Sequence, residues 1–172
     1  PTHRPRRASA KTERAAAKPS TSEHLTDLGN GIRLVRLYGA DLRYVWPWNK
    51  WMVWDGRRWT DDPSRPYEFA KQAVLEMYAE AGQIADSGAR AALVRHAQAS
   101  EAAARIDAML KLARSEAGIA LDHEQLDRQP MLLNCVNGTV DLSTGELRAH
   151  RRDDLISKLC STRFDPSAQC PI

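Results

Sequence analysis

The five tryptophans of this 172-residue chain lie together in one short stretch, and this clustering constrains the fold more than any other feature. They are Trp46, Trp48, Trp51, Trp54 and Trp59. Within the stretch, Pro47 and Asn49 predict a turn, and Asp55-Gly56 is a strong signal for a short hairpin. We therefore predict a small aromatic meander of three strands, near residues 42–46, 51–54 and 57–60.

The middle strand of this meander is apolar on both faces. Side chains alternate along a strand, so Trp51 and Val53 face one side while Met52 and Trp54 face the other. A sheet with two apolar faces needs cover on each of them. We expect one face to pack on helices and the other to meet something else.

Apolar residues at helical spacing predict a layer of helices around the meander. The first helix starts at Thr26, which is a good N-cap, and stops at Gly39. Gly29 and Gly31 inside it do not form a dinucleotide fingerprint, because position 34 is Leu and no strand precedes them; close packing of the helix start explains them better. Further helices are predicted from Pro66 to about Gly82, from Ala89 to Ser100, and around Ile106 to a stop near Gly118. The face of the second helix is formed by Tyr67, Ala70, Val74, Met77, Tyr78 and Ala81.

The last third of the chain returns to strand patterns. Residues 132–136 and 139–142 flank Asn137-Gly138, a type I′ hairpin signal, and a third strand covers 146–150. Residues 155–164 are expected to be extended or mixed. The predicted class is therefore α+β, with a helical layer flanked by small antiparallel β-meanders.

Positive charge is concentrated in residues 1–24, which hold six Arg and Lys side chains against two Glu. This tail has a net charge of +4, so the remaining residues carry −1 of the total of +3. The tail lacks large apolar side chains and is expected to be disordered. It serves either as a linker from an upstream domain or as a basic arm that touches nucleic acid, and the start at Pro1 suggests a fragment or a processed chain.

The sequence shows no catalytic constellation. It has no phosphate-binding loop of the Gly-x-x-x-x-Gly-Lys type and no Asp-x-Asp pair. Asp122 and Glu124 are the nearest carboxylate pair, and we interpret them as part of a solvated loop. Three separated cysteines, Cys135, Cys160 and Cys170, predict isolated reduced thiols, with no metal site. No apolar run could span a membrane, so we expect a cytoplasmic protein. Because the phosphate-binding loop and the metal motifs are missing, we expect no cofactor in this chain.

Three segments resemble the region that precedes the superfamily three helicase domain in phage and plasmid DNA primase–helicases, a region shared with the poxvirus helicase-primase. The main one is residues 133–147, LNCVNGTVDLSTGEL; the others are residues 26–35 and the tryptophan segment 51–59. Asp165-Pro166 with Cys170-Pro171 looks like the junction into the helicase. The matches span about residues 25–172.

This resemblance implies an accessory and oligomerisation domain that supports DNA unwinding in replication, in a bacterial or phage-infected cell. The parent would be an ATP-dependent helicase whose ATP and Mg²⁺ bind only in the downstream domain. The implied partners are DNA, the helicase domain of the same chain and further copies in a homo-oligomer.

The tryptophan stretch adds a second hypothesis, a module that binds single-stranded DNA. Indole faces can stack on bases while cations neutralise phosphates. The candidate residues are Trp46, Trp48, Lys50, Trp51, Arg57, Arg58 and Trp59. The same tryptophans also suit a core or interdomain contact, and a free-standing protein-interaction domain is the third alternative.

Overall fold

The computed structural model describes residues 24–168 and has the predicted α+β class. Its helices are Asp27–Tyr38 (α1), Arg65–Gln83 (α2), Ser87–Ser100 (α3) and Ala103–Ala113 (α4). Its strands are Leu42–Val45 (β1), Lys50–Trp54 (β2), Trp59–Asp61 (β3), Ala120–Leu121 (β4), Leu132–Cys135 (β5), Gly138–Asp141 (β6) and Glu146–Arg148 (β7). The predictions for residues 1–23 and for Cys170-Pro171 lie outside the described residues.

Helix α1 begins as predicted. The hydroxyl of Thr26 accepts a hydrogen bond from the N–H of Gly29 at 3.1 Å, and Asp27 occupies the first turn near the positive end of the helix dipole. Gly39 follows the helix but is right-handed, with φ of −61°, and continues into a 3₁₀ turn. The helix therefore ends where predicted, without a left-handed glycine cap.

The two glycines of α1 stand at close approaches. A Cβ on Gly29 would collide with the carbonyl of His24. A Cβ on Gly31 would lie 3.3 Å from Cβ of Leu112 and 3.4 Å from the backbone of Ala113 in α4. Close packing, rather than nucleotide binding, is the role that the structure gives to these residues.

The remaining helices match their predicted patterns with two exceptions. Ala70, Val74, Met77 and Ala81 of α2 are buried, but Tyr67 is 43% exposed. Helix α4 ends at Ala113, and turns fill the chain up to Gly118, so the predicted stop near Gly118 is wrong.

The first sheet has the order β3-β2-β1-β4. Strands β1, β2 and β3 form the predicted antiparallel meander. Strand β3 starts at Trp59, two residues later than predicted, because residues 55–58 form the loop. Strand β4 was not predicted and pairs with β1 in parallel, through Tyr44 with Ala120 and Val45 with Leu121.

Both faces of the first sheet are covered, each by a separate core. Trp51 and Val53 pack with the helices in the larger core, together with Leu34, Met77 and Met109. Met52 and Trp54 face a smaller core on the other side, completed by Val45, Trp59, Leu121, Leu126 and Leu155. The expected second contact of the sheet is therefore with the C-terminal third of the same chain.

The second sheet is the antiparallel meander β5-β6-β7. Its first turn is shifted by one residue from the prediction: Cys135 pairs with Gly138, so Val136 and Asn137 form the turn. Neither residue has the positive φ that a type I′ turn requires, so that predicted turn type is wrong. Gly138 is needed instead because a Cβ there would collide with Arg148 and Leu147 of β7.

No helix within residues 24–168 is long and apolar enough to cross a membrane.

Candidate interaction surface at the tryptophan turn

The structure separates the seven candidate DNA-binding residues instead of gathering them on one surface. Trp46 and Trp48 lie in the turn before β2, and Lys50 is the first residue of β2. Arg57 and Arg58 lie in the loop after β2, at the opposite end of that strand. A five-residue strand is roughly 13 Å long, so one nucleotide does not contact both groups.

The turn formed by residues 46–49, the tryptophan turn, is held rigidly. Trp46, Pro47 and Trp48 form one 3₁₀ turn, which Asn49 ends in a left-handed conformation with φ of 52°. The N–H of Asn49 donates to the carbonyl of Trp46 at 3.0 Å, and the hydroxyl of buried Tyr44 donates to the side chain of Asn49. The backbone and one side chain thus fix the turn.

The two indoles of this turn are exposed, although each of them contacts another ring of the domain. Trp46 is 53% exposed and contacts the ring of Tyr44 edge-on at 5.0 Å. Trp48 is 44% exposed and lies 5.7 Å from the ring of His123. Large apolar side chains that are held in place and left open to solvent are typical of binding surfaces.

The charges around the tryptophan turn are largely compensated. Lys50 forms an ion pair with Asp61 of β3. On the other side, Asp122 Oδ1 lies 3.0 Å from His123 Nδ1 and also accepts the N–H of Glu124 at 3.0 Å. The surroundings of the turn therefore combine the paired Lys50, the exposed carboxylates of Asp122 and Glu124, and the guanidinium of Arg114, which lies 4.6 Å from the ring of Tyr44.

Arg57 and Arg58 lie where the two sheets meet. Asp55 accepts the N–H groups of both residues, at 2.7 Å and 2.9 Å, which closes the loop. The carbonyl of Arg57 accepts from Asn134 of β5 at 3.0 Å, and Arg58 Nη1 lies 3.4 Å from the carbonyl of Ser157. Arg57 is exposed at the end of β2 opposite to the tryptophan turn, while Arg58 Nε lies 3.7 Å from Asp55 Oδ2.

Trp51 and Trp59 are structural. Trp51 is half-buried against the helical core and contacts Tyr44 edge-on at 5.1 Å. Trp59 is fully buried; its Nε1 donates to the carbonyl of Arg152 at 2.9 Å, and Arg43 lies 4.8 Å from its ring. An indole enclosed in this way has no face on which a base can stack, so Trp59 does not belong to an interaction surface.

Asn134 is a connecting residue that sequence reasoning did not single out. Its Nδ2 donates to the carbonyls of Arg57 and Lys158 at 3.0 Å and 3.1 Å. Its Oδ1 lies 3.1 Å from Thr139 Oγ1 and 2.8 Å from His150 Nδ1. The amide thus joins the first sheet, the second sheet and the C-terminal segment, and its place in the segment 133–147 was the signal for it.

Asn137 fixes the C-terminal segment to the second sheet. Its amide group pairs with the backbone of Phe164 in both directions, with the N–H of Phe164 donating at 2.9 Å and its carbonyl accepting at 3.0 Å. Upstream, the N–H of Cys160 donates to the carbonyl of Asn134 at 2.7 Å. The segment expected to be extended or mixed therefore runs beside β5.

Cys135 and Cys160 are neighbours, in contrast to the predicted isolation of the thiols. They form a parallel bridge between β5 and the C-terminal segment, and both thiols are free. Burial raises the pKa of Cys135. Hydrogen bonds from Thr162 lower the pKa of the half-buried Cys160. Cys170 lies outside the described residues.

A buried polar contact joins α1 to α3. Asn30 Nδ2 donates to Ser100 Oγ at 3.0 Å, and His96 Nε2 lies 2.8 Å from Asn30 Oδ1. Burial, together with the nearby positive charges of Arg105 and Arg33, lowers the pKa of His96. His96 is therefore a neutral structural histidine near pH 7.

Within the part of the chain that the structure describes, no group of three or more His, Cys, Asp or Glu side chains has a metal-binding arrangement. Asp122 and Glu124 are exposed, and the carboxylate of Asp122 caps the 3₁₀ turn of residues 123–125.

The described residues form an α+β domain in which Asn134 and Asn137 connect the second sheet to the rest of the chain. The chain belongs to the family described as D5 N terminal like, whose profile matches residues 31–172. This family is the N-terminal region of D5-type primase–helicases of phages and poxviruses, so the domain comes from a class of DNA replication proteins. No curated protein matches the chain.

Proposed function

We propose that this domain is a non-catalytic accessory and oligomerisation module of a DNA primase–helicase, which supports unwinding by bringing copies of the parent together. The observation that carries the proposal is the tryptophan turn, in which hydrogen bonds fix the backbone and two indoles are exposed. An apolar centre surrounded by paired charges is the usual anatomy of a protein–protein interface, and tryptophan is the residue most enriched at interface hot spots. In this proposal, ATP and Mg²⁺ bind elsewhere in the parent.

The charges around the turn favour a protein partner over DNA. Surfaces that bind single strands combine aromatic platforms with cations that neutralise phosphates. Here Lys50 is already paired with Asp61, while Asp122 and Glu124 add negative charge beside Trp48. A protein partner can contact the Lys50–Asp61 pair and can place positive charges opposite Asp122 and Glu124.

Sedimentation velocity tests the proposal directly. We expect the chain to self-associate as its concentration rises, and the double variant Trp46→Ser, Trp48→Ser to remain monomeric. Leu28→Ser is the matched control, because Leu28 is 53% exposed in α1, away from the turn. A chain that stays strictly monomeric at high concentration, or a double variant that associates like the wild type, would contradict the proposal.

Single-stranded DNA binding is the second candidate, favoured by the two open indole faces next to Lys50. A fluorescence titration with an oligonucleotide would then quench the tryptophans in a salt-sensitive manner. The quenching should disappear in Trp46→Ser, Trp48→Ser and weaken in Lys50→Gln. Exposed Arg57 gives a second test of this candidate, because Arg57→Gln should weaken binding only if the loop after β2 also contacts DNA.

The third alternative, an interaction domain with no part in replication, loses its support because the family belongs to replication proteins.

A further inference from the structure

The second sheet carries its apolar side chains on the face that points away from the domain. Leu133 pairs with Val140, and Val140 pairs with Leu147, so the three share a face. Met131 and Leu142 lie just beyond the ends of β5 and β6 and continue the pairing of these strands, because the N–H of Leu142 donates to the carbonyl of Met131 at 2.8 Å. We call these five residues the outer face.

Four of the five side chains of the outer face are open to solvent. Met131 is 48% exposed, Leu142 is 50% exposed, and Leu133 and Leu147 are similar. They surround Val140, which is buried at the centre. A contiguous apolar patch without a charged residue in it is typical of a surface that another polypeptide covers.

The inner face of the same sheet is polar. Asn134 and Thr139 are buried there and hydrogen-bond to each other, and Arg148 donates twice to Asp154 at 2.8 Å. Hydrogen bonds therefore attach this sheet to the domain, in place of the usual apolar contact. Met131, Leu133, Leu142 and Leu147 remain exposed, and no residue of the outer face belongs to either apolar core of residues 24–168.

The path of the chain indicates what covers the outer face. The segment from Cys160 to Phe164 runs along β5 and is fixed at its end by the amide of Asn137. Polypeptide that follows Phe164 thus starts at the edge of this sheet. In the family, the domain is the N-terminal part of a longer protein. The part that follows is held beside the outer face at a high effective concentration, which favours a contact within one chain.

We propose that the outer face of the second sheet is the docking surface for the domain that follows it in the same polypeptide, and that its partner is an apolar patch on that domain. This inference rests on the proposed function, because an accessory domain of a helicase precedes a motor. It assigns the tryptophan turn to contacts between copies and the outer face to contact within a copy.

Methionine oxidation provides a probe that is already in the sequence. Of the four methionines, Met131 is exposed, whereas Met52, Met77 and Met109 are buried. In the chain of residues 1–172, brief treatment with hydrogen peroxide should oxidise Met131 first, as tandem mass spectrometry would detect. In the longer parent protein, we expect Met131 to lose this reactivity and to oxidise as slowly as buried Met52.

The parent is best tested with the substitutions Trp46→Ser and Trp48→Ser, which keep copies apart in the proposed function. Protection of Met131 in that unassembled parent supports docking within one chain. Equal oxidation of Met131 in the chain and in the parent would overturn it, as would protection that appears only when copies associate. Failure of the proposed function is seen separately, in the sedimentation of the tryptophan variants.

A pair of leucine variants gives the second measurement. Leu142→Ser in the parent should restore oxidation of Met131, because it removes an apolar contact of the outer face. Leu75→Ser is the matched control, since Leu75 is 54% exposed on α2, and it should leave Met131 protected. Identical behaviour of the two variants would count against the assignment of this face.

Discussion

Asn134 shows how one side chain can hold several parts of this fold together. Its amide nitrogen donates to the carbonyls of Arg57 and Lys158. Its amide oxygen lies within hydrogen-bond distance of Thr139 in β6 and of His150. Asn134 belongs to residues 133–147, the segment that most resembles the primase–helicase family. Which atoms it binds follows from contacts between residues up to 77 positions apart, and no local pattern contains that information.

Replacing Asn134 with Ala should destabilise the domain strongly. The substitution leaves the buried hydroxyl of Thr139 and two backbone carbonyls without their partner, at an expected cost of about 2–3 kcal/mol in the free energy of unfolding. Urea denaturation measures this difference. Gln129→Ala, at an exposed position nearby, should change stability by less than about 0.5 kcal/mol. Similar losses in both variants would show that Asn134 does not connect the sheets.

The contact between His96 and Asn30 predicts a pH dependence of stability. Folding lowers the pKa of His96, so below its ordinary value the unfolded chain binds more protons than the folded one. Stability should therefore fall as the pH drops below about 6.5, through the window between the ordinary pKa and the lowered one. His96→Gln keeps a donor toward Asn30 and should flatten this part of the curve. Parallel curves for the wild type and His96→Gln in urea denaturation would contradict the prediction.

At the scale of elements, local signals located the pieces but not their contacts. Thr26 marked the start of α1, and Asp55-Gly56 marked the loop between β2 and β3, because capping and turn chemistry act over a few residues. Two-residue β4 escaped prediction since only its pairing with β1 makes it a strand. The shifted turn at Val136 also depends on a contact that is distant in the sequence. Gly138 is required because β7 approaches it closely, but in the sequence Asn137-Gly138 looks the same as a turn signal.

Because local signals do not contain long-range contacts, the sequence predicted the candidate site only in part. Alternation along β2 correctly separated Trp51 from Trp54, but it could not tell which tryptophans would be covered. Trp59 is buried because residues near Arg152 return to it from the far end of the chain. Trp46 is exposed and lies outside β1, which ends at Val45, one residue earlier than predicted; a 3₁₀ turn begins at Trp46.

The contact between α1 and α4 predicts opposite effects for two glycine substitutions. Gly82→Ala in α2 meets no atom within 4 Å, so the better helix propensity of Ala should stabilise the domain by about 0.5–1 kcal/mol. Gly31→Ala has the same propensity gain, but its Cβ would lie 3.3 Å from Cβ of Leu112 and 3.4 Å from backbone atoms of Met109 and Ala113 in α4, and a Cβ cannot move without its backbone. We expect a net loss of about 1–3 kcal/mol, as for other overpacked sites. Thermal denaturation of both variants decides the question, and a stabilised Gly31→Ala would mean that the helices can separate freely.

For the whole molecule, the separation of charge from aromatic surface matters most. The net charge of +4 lies in residues 1–24, whereas residues 25–172 carry −1 and hold all five tryptophans. A general attraction to phosphate therefore belongs to the tail, and the exposed indoles belong to a nearly neutral body. Because these are different parts of the chain, their contributions to DNA binding can be measured independently.

We predict that weak binding of single-stranded DNA by the chain, where it occurs, depends on the tail. Neutralising six phosphates gives a slope of about −4 in a plot of log K against log salt, since each contact on a single strand contributes about −0.7. Replacing Arg4, Arg6, Arg7, Lys11, Arg14 and Lys18 with Gln should remove this slope and most of the affinity. The variant Trp46→Ser, Trp48→Ser should keep the slope, because it removes no cation and Lys50 beside the turn is already paired with Asp61. Fluorescence anisotropy of a labelled oligonucleotide measures both, and a slope that survives in the tail variant would place the phosphate contacts in the folded part, with Arg57 the first residue to test.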